Sequence, residues 1–205
     1  MDWASSIDST IIRVHQYGAT LPRAAVGALS NYKQFGDEQP DHPIGRPCGG
    51  LTTKNHLVCD GRAPAMAFVI TPGHAADTSM LAATVGHIRV PVGRGRPRTR
   101  PDHVIADKVY APRANRALLR ERGIAATIPE RDHQIAHRRK RRGHPIDFGD
   151  HQRQRYRGRS VVERCFNGLK QGRGIARRSD KLARNYLCLS ATLHWPTSGS
   201  GIQNS

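Results

Sequence analysis

Hydrophobic and polar positions divide the chain into short β-rich runs separated by polar, glycine-containing stretches, with a more helical pattern toward the C-terminus. Ser5 to Val14 (SSIDSTIIRV) is rich in β-branched residues and predicts a first strand that carries one acid, Asp8, inside it. Residues 15–50 hold Gly, Pro, Asn and Asp with weak periodicity, which predicts a long loop with room for a short helix. Thr52 to Cys59 and Ala65 to Thr71 flank Asp60-Gly61, a hairpin signal. Beyond Thr71-Pro72-Gly73, the order Asp77, Met80, Leu81, Val85, Ile88 predicts an amphipathic helix with Asp77 as its N-cap. Val104 to Ala106 predicts a short buried strand whose end presents Asp107. Pro112 to Arg122 predicts a helix capped by Gly123, and Ile124 to Ile128 one more strand. His151 to Gln171 predicts one long helix broken by Gly172 and Gly174. The Ser/Gly/Asn-rich tail, residues 196–205, predicts fraying.

A length of 205 residues fits one domain with appendages. Hydrophobic residues make up 37%, below the usual share of about 45–50%, so the core is expected to be modest. Aromatics at 5% leave few rings on which single-stranded bases could stack. The longest apolar runs, such as Ala65 to Ile70, fall far short of the roughly 18 residues of a membrane span. Met1-Asp2-Trp3 opens no secretory signal, and Cys48, Cys59, Cys165 and Cys188 form no C-x-x-C, so reduced thiols in a cytoplasmic chain are expected.

Charge changes the picture more. Lys plus Arg total 33 against 16 Asp plus Glu, a formal net charge of +17, and only six of the basic residues are Lys. Arginine's planar fork pairs bidentately with phosphate oxygens, so the expected partner is a polyanion. Arg89 to Arg100 contains five Arg and no acid, and a polar insertion at about 129–150 carries Arg138-Arg139-Lys140-Arg141-Arg142. These stretches read either as solvated loops or, preferably, as sequence-independent phosphate contacts. His133 and His137 have ligand spacing but no neighbouring Cys, and read as a solvated pair.

Three acids stand at distinctive places: Asp8 in the first strand, Asp107 at the end of a later one, and Glu163 in the long helix. A carboxylate set among apolar strand residues costs desolvation energy unless it is paired or binds a cation. Three that converged would repel unless a divalent ion neutralised them, and hard Mg²⁺ or Mn²⁺ takes such oxygen ligands. At about 100° per residue, Tyr156, Arg159, Glu163 and Lys170 fall within about 60° of one another on a helix. Val162, Cys165, Phe166 and Leu169 lie immediately beside that polar stripe.

The spacing Tyr156-x2-Arg159-x3-Glu163-x6-Lys170 resembles the tyrosine-arginine-glutamate-lysine signature of DDE transposases of bacterial insertion sequences, in the group of families four and five. Ile7-Asp8-Ser9-Thr10, Gly49-Gly50-Leu51-Thr52-Thr53-Lys54, Ala106-Asp107-Lys108-Val109-Tyr110 and Val161 to Lys170 also resemble that family, from about Trp3 to about His194. The resemblance implies an α/β fold, an RNase H-like mixed sheet flanked by helices, over about residues 1–195. It implies that Asp8, Asp107 and Glu163 are catalytic and ligate Mg²⁺ or Mn²⁺, as two ions, and that Tyr156, Arg159 and Lys170 position DNA phosphates. The implied reaction is hydrolysis at the element's end, then attack of the freed 3′-hydroxyl on target DNA. Double-stranded DNA is the implied partner, a homo-oligomer the implied assembly, and the bacterial cytoplasm, at the nucleoid, the implied location. Family members usually carry an N-terminal helical DNA-binding region. Here that region is expected either from an upstream-encoded portion joined by frameshifting or to have been lost. The alternatives are an inactive, truncated remnant that binds DNA through its Arg-rich surface, and a nuclease of the same core that cleaves RNA–DNA hybrids.

Overall fold

The computed structural model describes residues 3–16, 43–47, 49–62, 64–91, 94–140, 148–180 and 182–192. Its centre is a mixed sheet in the order β3-β2-β1-β4-β5, formed by β1 (Ala4–Val14), β2 (Thr52–Asp60), β3 (Ala65–Pro72), β4 (His103–Ala106) and β5 (Ala125–Thr127). β1, β2 and β3 are antiparallel neighbours, whereas β4 and β5 extend the sheet parallel to β1. A two-residue strand, β6 (Arg177–Arg178), pairs with the far end of β1. The Asp60 side chain accepts the Arg62 N–H at 2.6 Å and so shapes the hairpin turn between β2 and β3. This is the RNase H-like α/β arrangement expected from the sequence.

Alternation along the strands divides the core into two layers. On one face Ile7, Val58, Val104 and Ala106 pack with Leu81 and Val85 of α1 (Leu81–Gly86), Leu119 of α2 (Arg113–Glu121) and Ile88. The other face sets Leu57 and Cys59 against Val161, Val162, Cys165, Phe166 and Leu169 of α5 (Ser160–Gln171). Ile175 of α6 (Arg173–Ala176) and Tyr186 of α7 (Ala183–Thr192) close that layer. Burying each large aliphatic side chain stabilises the fold by about 1.5–3 kcal/mol relative to exposure. Central strand β1 is covered on both sides, which is why its small polar residues Ser5 and Ser6 are buried beside Ile7.

The structure corrects four local expectations. The long helix is two helices, α4 (Asp150–Arg157) and α5, joined at Gly158-Arg159. There the bonding tightens to i→i+3, with Arg159 N–H on the Tyr156 carbonyl at 2.9 Å and Val162 N–H on the Arg159 carbonyl at 3.0 Å. Glycine eases the joint, since a Cβ on Gly158 would lie a tight 3.0 Å from the Arg155 carbonyl oxygen. Gly172 does end α5, but Gly174 lies inside α6. The polar insertion contains a helix, α3 (Asp132–Arg139). The Gln134 side chain accepts the Arg131 N–H at 3.1 Å, half of a capping box, and helps start a helix that has no apolar stripe. Finally, Asp77 is not an N-cap: it is the first residue of a 3₁₀ turn, Asp77–Met80, that leads into α1, and its carboxylate bonds elsewhere. Most of the long loop, Arg141, Arg142 and the tail lie outside the described residues.

Candidate active site

β1 and β4 run parallel with Ile7 opposite Ala106, so the next residues, Asp8 and Asp107, emerge at the same level of the sheet. Both are half-buried. Asp8 Oδ1 accepts the Ser9 N–H at 2.8 Å, and its Oδ2 accepts Arg159 Nη2 at 2.8 Å. Arg159 Nη1 donates to Glu163 Oε1, also at 2.8 Å, so one guanidinium joins a strand acid to a helix acid. The Tyr156 hydroxyl approaches Asp107 Oδ1 at 3.5 Å, the outer limit of a hydrogen bond. Asp107 Oδ1 also caps the short 3₁₀ turn Lys108–Tyr110 by accepting the Lys108 N–H at 2.6 Å. Farther along β1, Lys170 Nζ donates to Thr10 Oγ1 at 2.8 Å.

Two elements make this convergence. The i→i+3 joint places Arg159 at the N-terminal edge of α5, directly over β1, while the apolar side of the same helix seats on β2. Glu163 is one turn on and stands at the surface, 57% exposed, as an i,i+4 partner of Arg159. Burial pushes the Asp8 carboxyl above its ordinary value. The Ser9 N–H and Arg159 oppose that rise, and the charges of Asp107 and Glu163 add to it. For Arg159 burial works against the charge, but Asp8, Tyr156, Asp107 and Glu163 outweigh it and the net shift is upward. Burial likewise raises the Tyr156 phenol, with Arg159 opposing and Asp107 reinforcing.

The structure therefore gathers Asp8, Asp107, Tyr156, Arg159 and Glu163, and sets Lys170 against β1 two residues beyond Asp8. Arg139 and Lys140 are exposed at the end of α3, whereas the Arg138 side chain, Arg141 and Arg142 lie outside the described residues. His133 and His137 are exposed on α3. Sequence reading missed a second set of polar groups on the other side of β1. Ser9 Oγ donates to Asp77 Oδ1 at 2.7 Å, and the buried Lys54 ammonium lies 3.0 Å from the same oxygen. The available signal was a lysine in the middle of a β-rich run, which is costly unless an acid meets it.

Among the described residues no three acid, His or Cys side chains are gathered tightly enough to hold a metal ion. Asp8 and Asp107 alone offer what hard Mg²⁺ or Mn²⁺ prefers, two half-buried carboxylates of like charge, such an ion taking water and substrate oxygens for the rest of its octahedron. The donor set fits such an ion, with Glu163 held to Arg159 beside it.

Residues 1–194 match the family model of the transposase DDE domain. An 80-residue stretch is 34% identical to a Burkholderia cepacia protein described as a transposase for insertion sequence element IS402. That stretch covers 38% of this chain and 38% of the relative, so the similarity spans well under half of either protein. Proteins of the matching family generally use divalent metal ions, and no helix among the described residues is long and apolar enough to cross a membrane.

Proposed function

The chain belongs to the DDE transposase family, and from that premise we propose that it performs metal-dependent DNA strand cleavage and strand transfer at a site made of Asp8, Asp107 and Glu163. The observation that carries this reading is the convergence of Asp8 and Asp107 on adjacent parallel strands, with Arg159 tying Asp8 to Glu163. Residues this far apart in sequence meet on one face of the sheet, where their charges oppose one another and a cation would relieve them.

In this reading Asp8 and Asp107 would hold Mg²⁺ or Mn²⁺, with Glu163 completing the acidic set, and two such ions would supply charge neutralisation of the phosphate and stabilisation of the attacking and leaving oxygens. In the first step a water oxygen attacks the scissile phosphorus and the bond to the 3′-oxygen breaks, which leaves a 3′-hydroxyl and a 5′-phosphate. In the second step that hydroxyl forms a new bond to a target phosphorus, and the target's own 3′-oxygen departs. Arg159 stabilises the acid pair and adds a fixed positive charge next to the reacting phosphate. Tyr156 borders Asp107, and Lys170, exposed beside Thr10, lies where a backbone phosphate would run along β1. Arg139 and Lys140, with Arg138, Arg141 and Arg142, supply contacts without base readout.

The test is cleavage of a duplex that carries the element's end, by the full chain in Mn²⁺. Asp107→Ala is expected to abolish it, and undiminished cleavage in that variant would remove the assignment. Strand-transfer products from a pre-cleaved end exclude a simple hybrid nuclease. Salt-sensitive DNA binding with no nicking by the wild-type chain would identify a binding remnant instead.

A further inference from the structure

Ser9 follows Asp8 directly, and its two donors serve opposite sides of β1. Its N–H donates to Asp8 Oδ1 at 2.8 Å, while its hydroxyl donates to Asp77 Oδ1 at 2.7 Å. Asp77 is held in turn by Lys54, whose side chain is 11% exposed, lies 3.0 Å from the carboxylate and donates to the Ala75 carbonyl at 2.7 Å. The chain of contacts thus runs from β2 through the 3₁₀ turn Asp77–Met80 into β1 and ends on the carboxylate of Asp8. Tyr110 seals this side. Its side chain is buried at 1% exposure, and burial together with the charges of Asp77 and Asp8 pushes its phenol up, with the Ser9 side chain opposing.

We propose that Asp77 is a positioning residue: through the Ser9 hydroxyl it fixes the Ser9 peptide so that its N–H keeps the Asp8 carboxylate oriented for metal binding. This rests on the proposed function. The N–H that orients Asp8 belongs to the same residue whose hydroxyl Asp77 grips, so a rotation of that peptide would disturb both bonds together. An acid rather than an amide is required at 77, because an amide would accept the Ser9 hydroxyl yet leave the Lys54 ammonium buried without a counter-charge. Groups that orient a metal ligand from behind typically alter metal affinity by about 10–100-fold when removed.

The experiment compares the full-length wild type with Ser9→Ala, Ser9→Thr, Asp77→Asn and Asp107→Ala. Mn²⁺ binding to the DNA-free chain is followed by the electron paramagnetic resonance of free Mn²⁺, and the urea midpoint is measured on the same samples. Ser9→Ala deletes the hydroxyl and keeps the N–H. It is expected to weaken Mn²⁺ binding by about tenfold with an unchanged urea midpoint. Ser9→Thr, which restores a hydroxyl, is expected to restore binding, and Asp77→Asn, whose amide still accepts the Ser9 hydroxyl, to bind Mn²⁺ much as the wild type does while its urea midpoint falls because Lys54 has lost its counter-charge. Wild-type Mn²⁺ affinity in Ser9→Ala together with weakened binding in Asp107→Ala would overturn the positioning role and leave the active-site reading intact. Wild-type affinity in both variants would overturn both. Weak binding in Ser9→Ala that Ser9→Thr does not recover, with a lowered urea midpoint in each, would mark the network as purely structural and also overturn the proposal.

Discussion

Ile7 and Asp8 are neighbours on β1, yet they meet two differently built sides of the sheet. Ile7 is fully buried among Val58, Leu81, Val85, Val104 and Ala106, in a layer closed by α1 and α2. Asp8 faces α5, as does Leu57, its cross-strand partner on β2. Leu57 lies beneath the apolar stripe of that helix, whereas Asp8 lies beneath Arg159 at its N-terminal edge. One helix therefore seals a core and, at its N-terminal edge, sets a charged cluster over the central strand. The difference teaches that the site is held rigid from behind: the layer around Ile7 fixes the backbone, and the acid side carries the desolvation cost.

The largest effect should come from opening the sealed side. Ile7→Ala is expected to destabilise the protein by about 2–5 kcal/mol, because the cavity it leaves is lined by a sheet and two helices that cannot collapse into it. Ile11, four residues along the same strand, is 51% exposed, and Ile11→Ala should change stability by less than about 0.5 kcal/mol. Urea unfolding of both variants checks the contrast, and equal losses would mean that this side of β1 is no better packed at Ile7 than at its exposed end, against the burial pattern.

A second effect sharpens the comparison through pH. His56 on β2 is fully buried with Nε2 bonded to Thr71 Oγ1 at 2.8 Å, and burial lowers its pKa from 6.5 to about 4. A histidine kept neutral in the fold and free to charge when unfolded contributes stability above pH 6.5. That contribution drains away as the pH falls toward about 4. It is on the order of 3 kcal/mol at most. His56→Gln should remove this part of the acid sensitivity, so wild-type and variant stabilities should converge as pH drops from 7 to 4. Parallel curves would show that His56 does not titrate differently on folding.

How much of this was legible in the sequence follows the same division. The five longer strands were readable because β-branched alternation and the Asp60-Gly61 turn are local signals, and Asp8 and Asp107 stood out as acids in or at the end of apolar runs. Tyr156, Arg159, Glu163 and Lys170 were readable as a spacing, but the break at Gly158 was not, since the joint is set by how α5 seats on the sheet rather than by a local signal. The same limit hid the role of Asp77. Local rules see an acid ahead of an apolar helix and predict a cap, whereas its partners, Ser9 and Lys54, come from two strands distant in sequence. β6 left no pattern of its own, being two arginines. Arg178 is buried there by bonds to Thr53 Oγ1 at 2.6 Å and the Asp180 carbonyl at 3.0 Å, and lies 5.5 Å over the Tyr186 ring.

The smallest stability effect should have the opposite sign to the first and the largest consequence for activity. Burial raises the Asp8 carboxyl above its ordinary value, with Ser9 and Arg159 opposing and Asp107 and Glu163 reinforcing. An acid whose pKa is higher in the fold than in the unfolded chain favours folding while it is neutral. That contribution is present below the unfolded pKa and is lost as pH rises through the folded one. At pH 7 the charge on Asp8 is therefore a net cost to the metal-free fold, and Asp8→Asn, close to isosteric, should raise stability by up to about 1 kcal/mol. Arg159 keeps Glu163 as its partner in that variant, so the guanidinium is not left without a carboxylate. The gain should shrink as the pH is lowered into the range where Asp8 is already protonated. Urea midpoints of wild type and Asp8→Asn at pH 7 and pH 4, without metal, measure it. A variant less stable than wild type at pH 7 would mean that the ion pair with Arg159 outweighs the burial of Asp8, and that the acid side of β1 stabilises the fold instead of straining it.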